Sequence, residues 1–130
     1  MITVFRNPEY RFAIPGPAVS FRSPKANAYK LYIRKVAKNI IKKPIIGPVE
    51  VRIDYFHYSP RKMDMDNISK CVMDALNGIA YKDDKQAQLQ SSQAYNVSTR
   101  VILTEGPVDI IKPLQEYAEY LFIRVRDLAH

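Results

Sequence analysis

The chain has 130 residues, with 20 lysines and arginines against 13 acidic residues, a formal net charge of +7, and 47% hydrophobic and 25% charged residues. This length suits one domain spanning 1–130 with its own core, and the balance excludes wholesale disorder. Cys71 is the only cysteine, which excludes an intramolecular disulfide and a multi-thiolate zinc site and suits a reducing compartment.

Met1 to Pro8 has no apolar run of the kind that opens a signal peptide, and no segment approaches the length of a membrane span. The expectation is a soluble, cytoplasmic protein that does not enter a membrane. Glu9 to Pro15 alternates polar and apolar residues and reads as a strand, broken by Pro15-Gly16-Pro17. Ala18 to Ser23 is a loop carrying Phe21 and Arg22. Ser23-Pro24 has the chemistry of a helix start, with serine as cap and proline in the first turn.

That helix is expected to run to about Lys43. Tyr29, Tyr32, Ile33, Val36, Ala37 and Ile40 form its apolar face, and Lys30, Arg34, Lys38 and Lys42 recur every four residues on another. The basic stripe is either a phosphate-binding surface or a solvated face. Between Glu9 and Glu50 there is no acidic residue and there are nine basic ones, a charge run that attracts a polyanion.

Val49 to Tyr58 alternates clearly and is a strand; Ser59 to Lys62 is a basic loop. Asp66 is placed to cap a second helix, Asn67 to about Leu76, ended by Asn77-Gly78. Ile68, Cys71, Val72, Ala75 and Leu76 make its buried face, and Asn67, Lys70 and Asp74 the polar one. Ile79 to Asp84 is a loop, Lys85 to Tyr95 a polar strand, and Tyr120 to Asp127 a closing strand. Val101 to Leu103 could add a short strand and Pro113 to Glu119 a short helix. The order predicts an α+β fold, two main helices packed on a mixed β-sheet in a single compact domain.

Five carboxylates, Asp64, Asp66, Asp74, Asp83 and Asp84, fall within 21 residues of this basic chain. Clustered carboxylates raise one another's pKa unless a cation neutralises them, and hard oxygen ligands suit magnesium or manganese. Asp64 and Asp66, two residues apart, can point the same way in extended backbone. The loop holding Asp83 and Asp84 could return beside them. Such a half-shell serves metal-assisted chemistry on phosphate. Lys70 could offset charge on a phosphorane, or simply pair with Asp74 at i+4. The plainer alternatives stand beside this: Asp66 as a helix cap, Asp83-Asp84 as a turn, Asp64 as surface. His57 and Cys71 read as structural.

Lys62-Met63-Asp64-Met65-Asp66-Asn67-Ile68-Ser69-Lys70, then Met73-Asp74-Ala75-Leu76-Asn77-Gly78 and Tyr81-Lys82-Asp83-Asp84-Lys85-Gln86, together resemble the RusA family of Holliday junction resolvases. The match is dense from Pro48 to Gln86 and weaker from Ile14 to Arg22. The resemblance implies that Asp64, Asp66 and Asp84 are metal-binding catalytic carboxylates and that Lys70 is the catalytic lysine. It further implies a Mg2+ cofactor (Mn2+ as a substitute) and a homodimer nicking opposing strands of a four-way junction in double-stranded DNA. The chain departs from the family at Met63, where arginine is usual. Arg61 and Lys62 are the substitutes at hand and, with Arg22 and Lys70, the expected DNA contacts. A flap or branched-DNA metal nuclease and a non-catalytic basic DNA-binding module are the alternative readings.

Overall fold

The computed structural model describes residues 9–58, 63–97 and 119–128. Four strands, β1 (Glu9–Pro15), β2 (Val49–His57), β3 (Ala87–Asn96) and β4 (Tyr120–Asp127), form one sheet in the order β1-β4-β2-β3. β4 runs antiparallel to both β1 and β2, and β3 runs parallel to β2 at the edge. Two helices, α1 (Ala26–Ile40) and α2 (Met65–Leu76), complete the α+β fold expected from the sequence. Among the described residues no helix is long and apolar enough to cross a membrane.

Alternation explains the sheet. Phe12 and Ile14 of β1, Val49, Val51, Ile53 and Tyr55 of β2, and Leu121, Ile123 and Val125 of β4 share one core with both helices. α1 contributes Ala26, Tyr29, Ile33 and Ala37, and α2 contributes Ile68, Cys71, Val72, Ala75 and Leu76. The intervening residues face the other way. There Phe56, Tyr120 and Phe122 form a second cluster, with Tyr95 stacked on Phe56 at 4.9 Å between ring centroids. Beyond it lies an ionic row in which Asp54, only 2% exposed, takes Arg124 at 3.1 Å and Arg52 at 3.4 Å, and Glu50 takes Arg126 at 2.8 Å.

Several boundaries differ from the sequence expectation. α1 spans 26–40, and its N-cap residue is Lys25, with no side-chain cap. The Ser23 hydroxyl instead accepts from Lys25 N at 3.1 Å in the turn before the helix. Tyr32 and Ile40, placed in the apolar face, are exposed, so the buried stripe is narrower. The expected segments at Val101–Leu103 and Pro113–Glu119 lie outside the described residues except for Glu119. Its carboxylate accepts from the Tyr55 hydroxyl at 2.9 Å, and its carbonyl from Gly16 N at 2.8 Å. Gly16 needs its glycine, since its φ is 98°.

The basic stripe divides: Lys38 and Lys42 are exposed, whereas its first two members turn inward. Lys30 pairs with Asp74 at 2.8 Å, and Arg34 Nη1 donates to the carbonyls of Ala75 and Asn77, each at 2.9 Å. Those carbonyls belong to the orphan acceptors that a helix leaves at its C-terminus. Arg34 therefore ties α1 to the end of α2, where Gly78, at φ 81°, turns the chain back.

Candidate active site

The site is built around the entrance of α2. Asp64, not Asp66, is the N-cap: its carboxylate accepts from Asn67 N at 3.4 Å and from the Asn67 side-chain amide. The helix consequently begins at Met65, two residues earlier than expected, and Asp66 falls in its first turn with its carboxylate free to face solvent. Asn67, expected on the polar face, is buried, because its amide serves Asp64. Its carbonyl also accepts from Phe21 N at 3.0 Å, which docks the loop after β1 onto α2.

Residues 66, 70 and 74 then repeat at i, i+4 and i+8 along one helix face. They open into a cavity of about 590 Å³. α2 supplies Asp66, Ser69, Lys70, Met73 and Asp74, while Asp84 enters from the segment after the helix. Gln90 and Ser92 come from the edge strand, and Phe21 from the docked loop. Asp74 has its salt bridge with Lys30, so the i,i+4 pair that Lys70 could have made does not form. Among the described residues Lys70, Asp66 and Asp84 have no ion-pair partner.

Asp84 is positioned by a short 3₁₀ turn, Asp84–Gln86, which follows the loop after α2. Asp83 caps this turn by accepting from Lys85 N at 2.9 Å, and Gln86 completes a capping box. The hydrogen bond from Lys85 N holds the Asp83 carboxyl below the usual range. The hydrogen bond that Asp84 shares with Asp83, with some burial and the adjacent negative charge, pushes Asp84 up. Tyr81, fully buried, fastens the loop to α2 through a 2.7 Å hydrogen bond from its hydroxyl to the Met73 carbonyl.

The other residues singled out from the sequence are placed differently. Asp64 lies outside the main cavity, in a neighbouring depression shared with Met63, Met65 and Asp66. Arg22 is exposed in the loop after β1, and Arg61 and Lys62 lie outside the described residues. Met63, where the resemblance led one to expect arginine, is partly buried against the core. His57 is buried on β2 against Tyr55, and Cys71 is buried in α2, where desolvation pushes its thiol up.

Phe21, Ser69, Gln90 and Ser92 were missed. The one signal for the strand pair was register: Gln90 and Ser92 lie opposite Val51 and Ile53 of β2, whose side chains are core. Parallel partners share a face, so polar residues there leave the sheet wet where a helix would otherwise cover it.

Asp66 and Asp84 offer hard oxygens, without an ion-pair partner among the described residues, to one space, a donor set suited to magnesium. Among the described residues no group of three or more His, Cys, Asp or Glu side chains is gathered as a ready metal cage. Magnesium does not require one, since it keeps several waters and binds through one or two carboxylates plus substrate phosphate. No curated protein matches the chain. The family model for endodeoxyribonuclease RusA, however, matches residues 6–104, a span that holds both helices, three of the four strands and every side chain lining the cavity. The chain belongs to the RusA family of endodeoxyribonucleases.

Proposed function

We propose that the protein is a magnesium-dependent endodeoxyribonuclease that resolves four-way DNA junctions by paired, symmetric nicks. The observation that carries this reading is the meeting of Asp66, Asp84 and Lys70, which has no ion-pair partner among the described residues, in one open cavity of a RusA-family chain. Asp66 and Asp84 would hold the ion, with Mn2+ as a substitute. Asp64 would join them by exchanging its cap to Asn67 for the cation, at a cost of about 1 kcal/mol in capping. The chemistry such an ion supplies when bound is polarisation of a phosphate and activation of water.

The chain's own side chains do the rest. Lys70 offsets charge that builds on the phosphorus as the fifth oxygen arrives. The salt bridge between Lys30 and Asp74 keeps Asp74 from drawing Lys70 aside. Gln90 and Ser92 offer neutral donors to the sugar-phosphate backbone along the cavity floor. Arg22, exposed in the loop after β1, contributes a phosphate contact, and Arg61 and Lys62, outside the described residues, are the further basic candidates from the sequence. Cleavage of opposing strands needs two such cavities related by symmetry, which supports a homodimer. DNA as substrate and the single buried cysteine both suit the cytoplasm.

The test is a synthetic four-way junction incubated with parent protein and with Asp66→Asn, with magnesium or with chelator. Loss of an outer-shell partner already costs about 10–100-fold, so loss of a ligand should reduce cleavage by at least about 100-fold. Junction binding should persist or tighten, because one negative charge has left the phosphate site. Unchanged cleavage in the variant would sink the site assignment. Nicking of one strand only, on flapped substrates, would make the enzyme a flap nuclease.

A further inference from the structure

We propose that Gln86 is the positioning residue of the site: its side-chain amide sets where Asp84 stands opposite Asp66 and so tunes the affinity for a divalent cation. The inference rests on the metal-nuclease reading and goes beyond it by adding a residue that touches neither ion nor DNA.

The Gln86 side-chain amide reaches five backbone partners, three carbonyls sharing the two hydrogens of its Nε2. Its Nε2 donates to the carbonyls of Ile45, Ile46 and Gly47 at 2.8, 3.0 and 2.9 Å. Its Oε1 accepts from Lys82 N at 2.9 Å and Asp83 N at 3.2 Å. One amide therefore grips both ends of the short segment that carries Asp84 and fastens it to the loop between α1 and β2. That loop is anchored in turn, since Ile45 N donates to Ala80 O at 2.8 Å and Ile45 is buried in the core.

Position matters here because Asp84 is exposed and makes no ion pair among the described residues. Among the described residues, its side chain is restrained only by the interaction with Asp83. The cavity wall on the other side is α2, which is packed into the core. The distance across the cavity is thus set by the Tyr81 contact on one flank of the segment and by Gln86 on the other. Only an amide can do this. Three carbonyls need a donor and two backbone N–H groups need an acceptor, and a glutamate in this position would face the carbonyls with oxygen.

The experiment compares parent, Gln86→Met and Gln86→Glu, all metal-free. Three quantities are read: the melting temperature, amide exchange at Lys82 and Asp83, and Mn2+ affinity by calorimetry. Metal dependence of junction cleavage follows on the same samples. Both variants are expected to melt cooperatively, to exchange the two amides faster, and to bind Mn2+ about 10-fold or more weakly, with cleavage needing correspondingly more metal. If Gln86→Met does not fold, Gln86→Glu, which keeps Oε1, carries the comparison. A lowered melting temperature with parent-like Mn2+ affinity and parent-like metal dependence overturns the inference and leaves the nuclease reading standing. Parent protein that takes up no Mn2+ overturns both.

Discussion

Asp83 and Asp84 are neighbours in the chain with opposite electrostatic fates. Asp83 is spent on Lys85 N and its carboxyl is held low, while Asp84 shares a hydrogen bond with Asp83 and is pushed up. A raised folded-state pKa means that the fold favours the proton on Asp84. The stability that proton brings is present in acid, below the unfolded pKa, and is lost as pH rises through the folded one. At neutral pH the ionised Asp84 therefore weighs against the metal-free fold. Asp84→Asn should melt higher than parent at neutral pH, and the difference should shrink as pH falls through the raised pKa and vanish below the unfolded one. A substitution that lowers the melting temperature at neutral pH would contradict this. Lys70 illustrates a different local point: its four-residue spacing to Asp74 read as a pair, yet Lys30 from another helix holds that carboxylate. Spacing describes who can meet on one helix and cannot see a competitor 44 residues away.

At the scale of elements, Arg34 joins the two helices. Its guanidinium satisfies two carbonyls at the end of α2, and hydrogen bonds from charged donors contribute about 1.5–3 kcal/mol each. Arg34→Met should lower stability by about 3 kcal/mol or more, seen as a lower urea midpoint at unchanged slope. Lys38→Met, exposed on the same helix, should stay within about 0.5 kcal/mol of parent. The elements themselves were largely legible. β1 and β4 have the bounds read from the sequence: β1 because a strand facing a core on one side writes its period into the chain, and β4 because a short apolar run buried on both faces also marks a strand. The start of α2 was not, since Asp64 and Asp66 are equally good caps by type and the buried Asn67 amide decides between them. α1 reached less far than its periodicity because Ile41 leaves it in extended conformation. For the candidate site, the approach of Asp66, Lys70 and Asp84 to one space was legible from the sequence, and the placement of Asp64 outside that cavity was not. Gln90 and Ser92 were not, because polarity on an edge strand reads as exposure until the register with β2 is known.

For the whole molecule, the charge of +7 is unevenly available. Arg34, Arg124 and Lys30 are spent on internal partners, whereas Lys38 and Lys42 remain exposed on the helix layer. Junction binding in magnesium-free buffer should weaken steeply with salt, with a log–log slope of about −0.9 per phosphate contact. Lys38→Ala with Lys42→Ala should lessen that slope by about 2, and Arg34→Met should leave it alone. An unchanged slope in the lysine pair would place the DNA elsewhere on the surface.

The position of β4 has a consequence for how such an enzyme comes into being. Every residue lining the cavity lies before residue 93, but β1 and β2 meet only through β4, at 120–127. A growing chain that already carries the full set of cavity residues has β1 apart from the β2–β3 pair, and the sheet that the two helices share lacks the strand that joins its halves. Long-range pairing of this kind closes slowly and late. On the ribosome, the endonuclease should therefore stay inert until its final strand has emerged, and a nascent chain stalled before residue 120 should neither resist protease nor cut DNA.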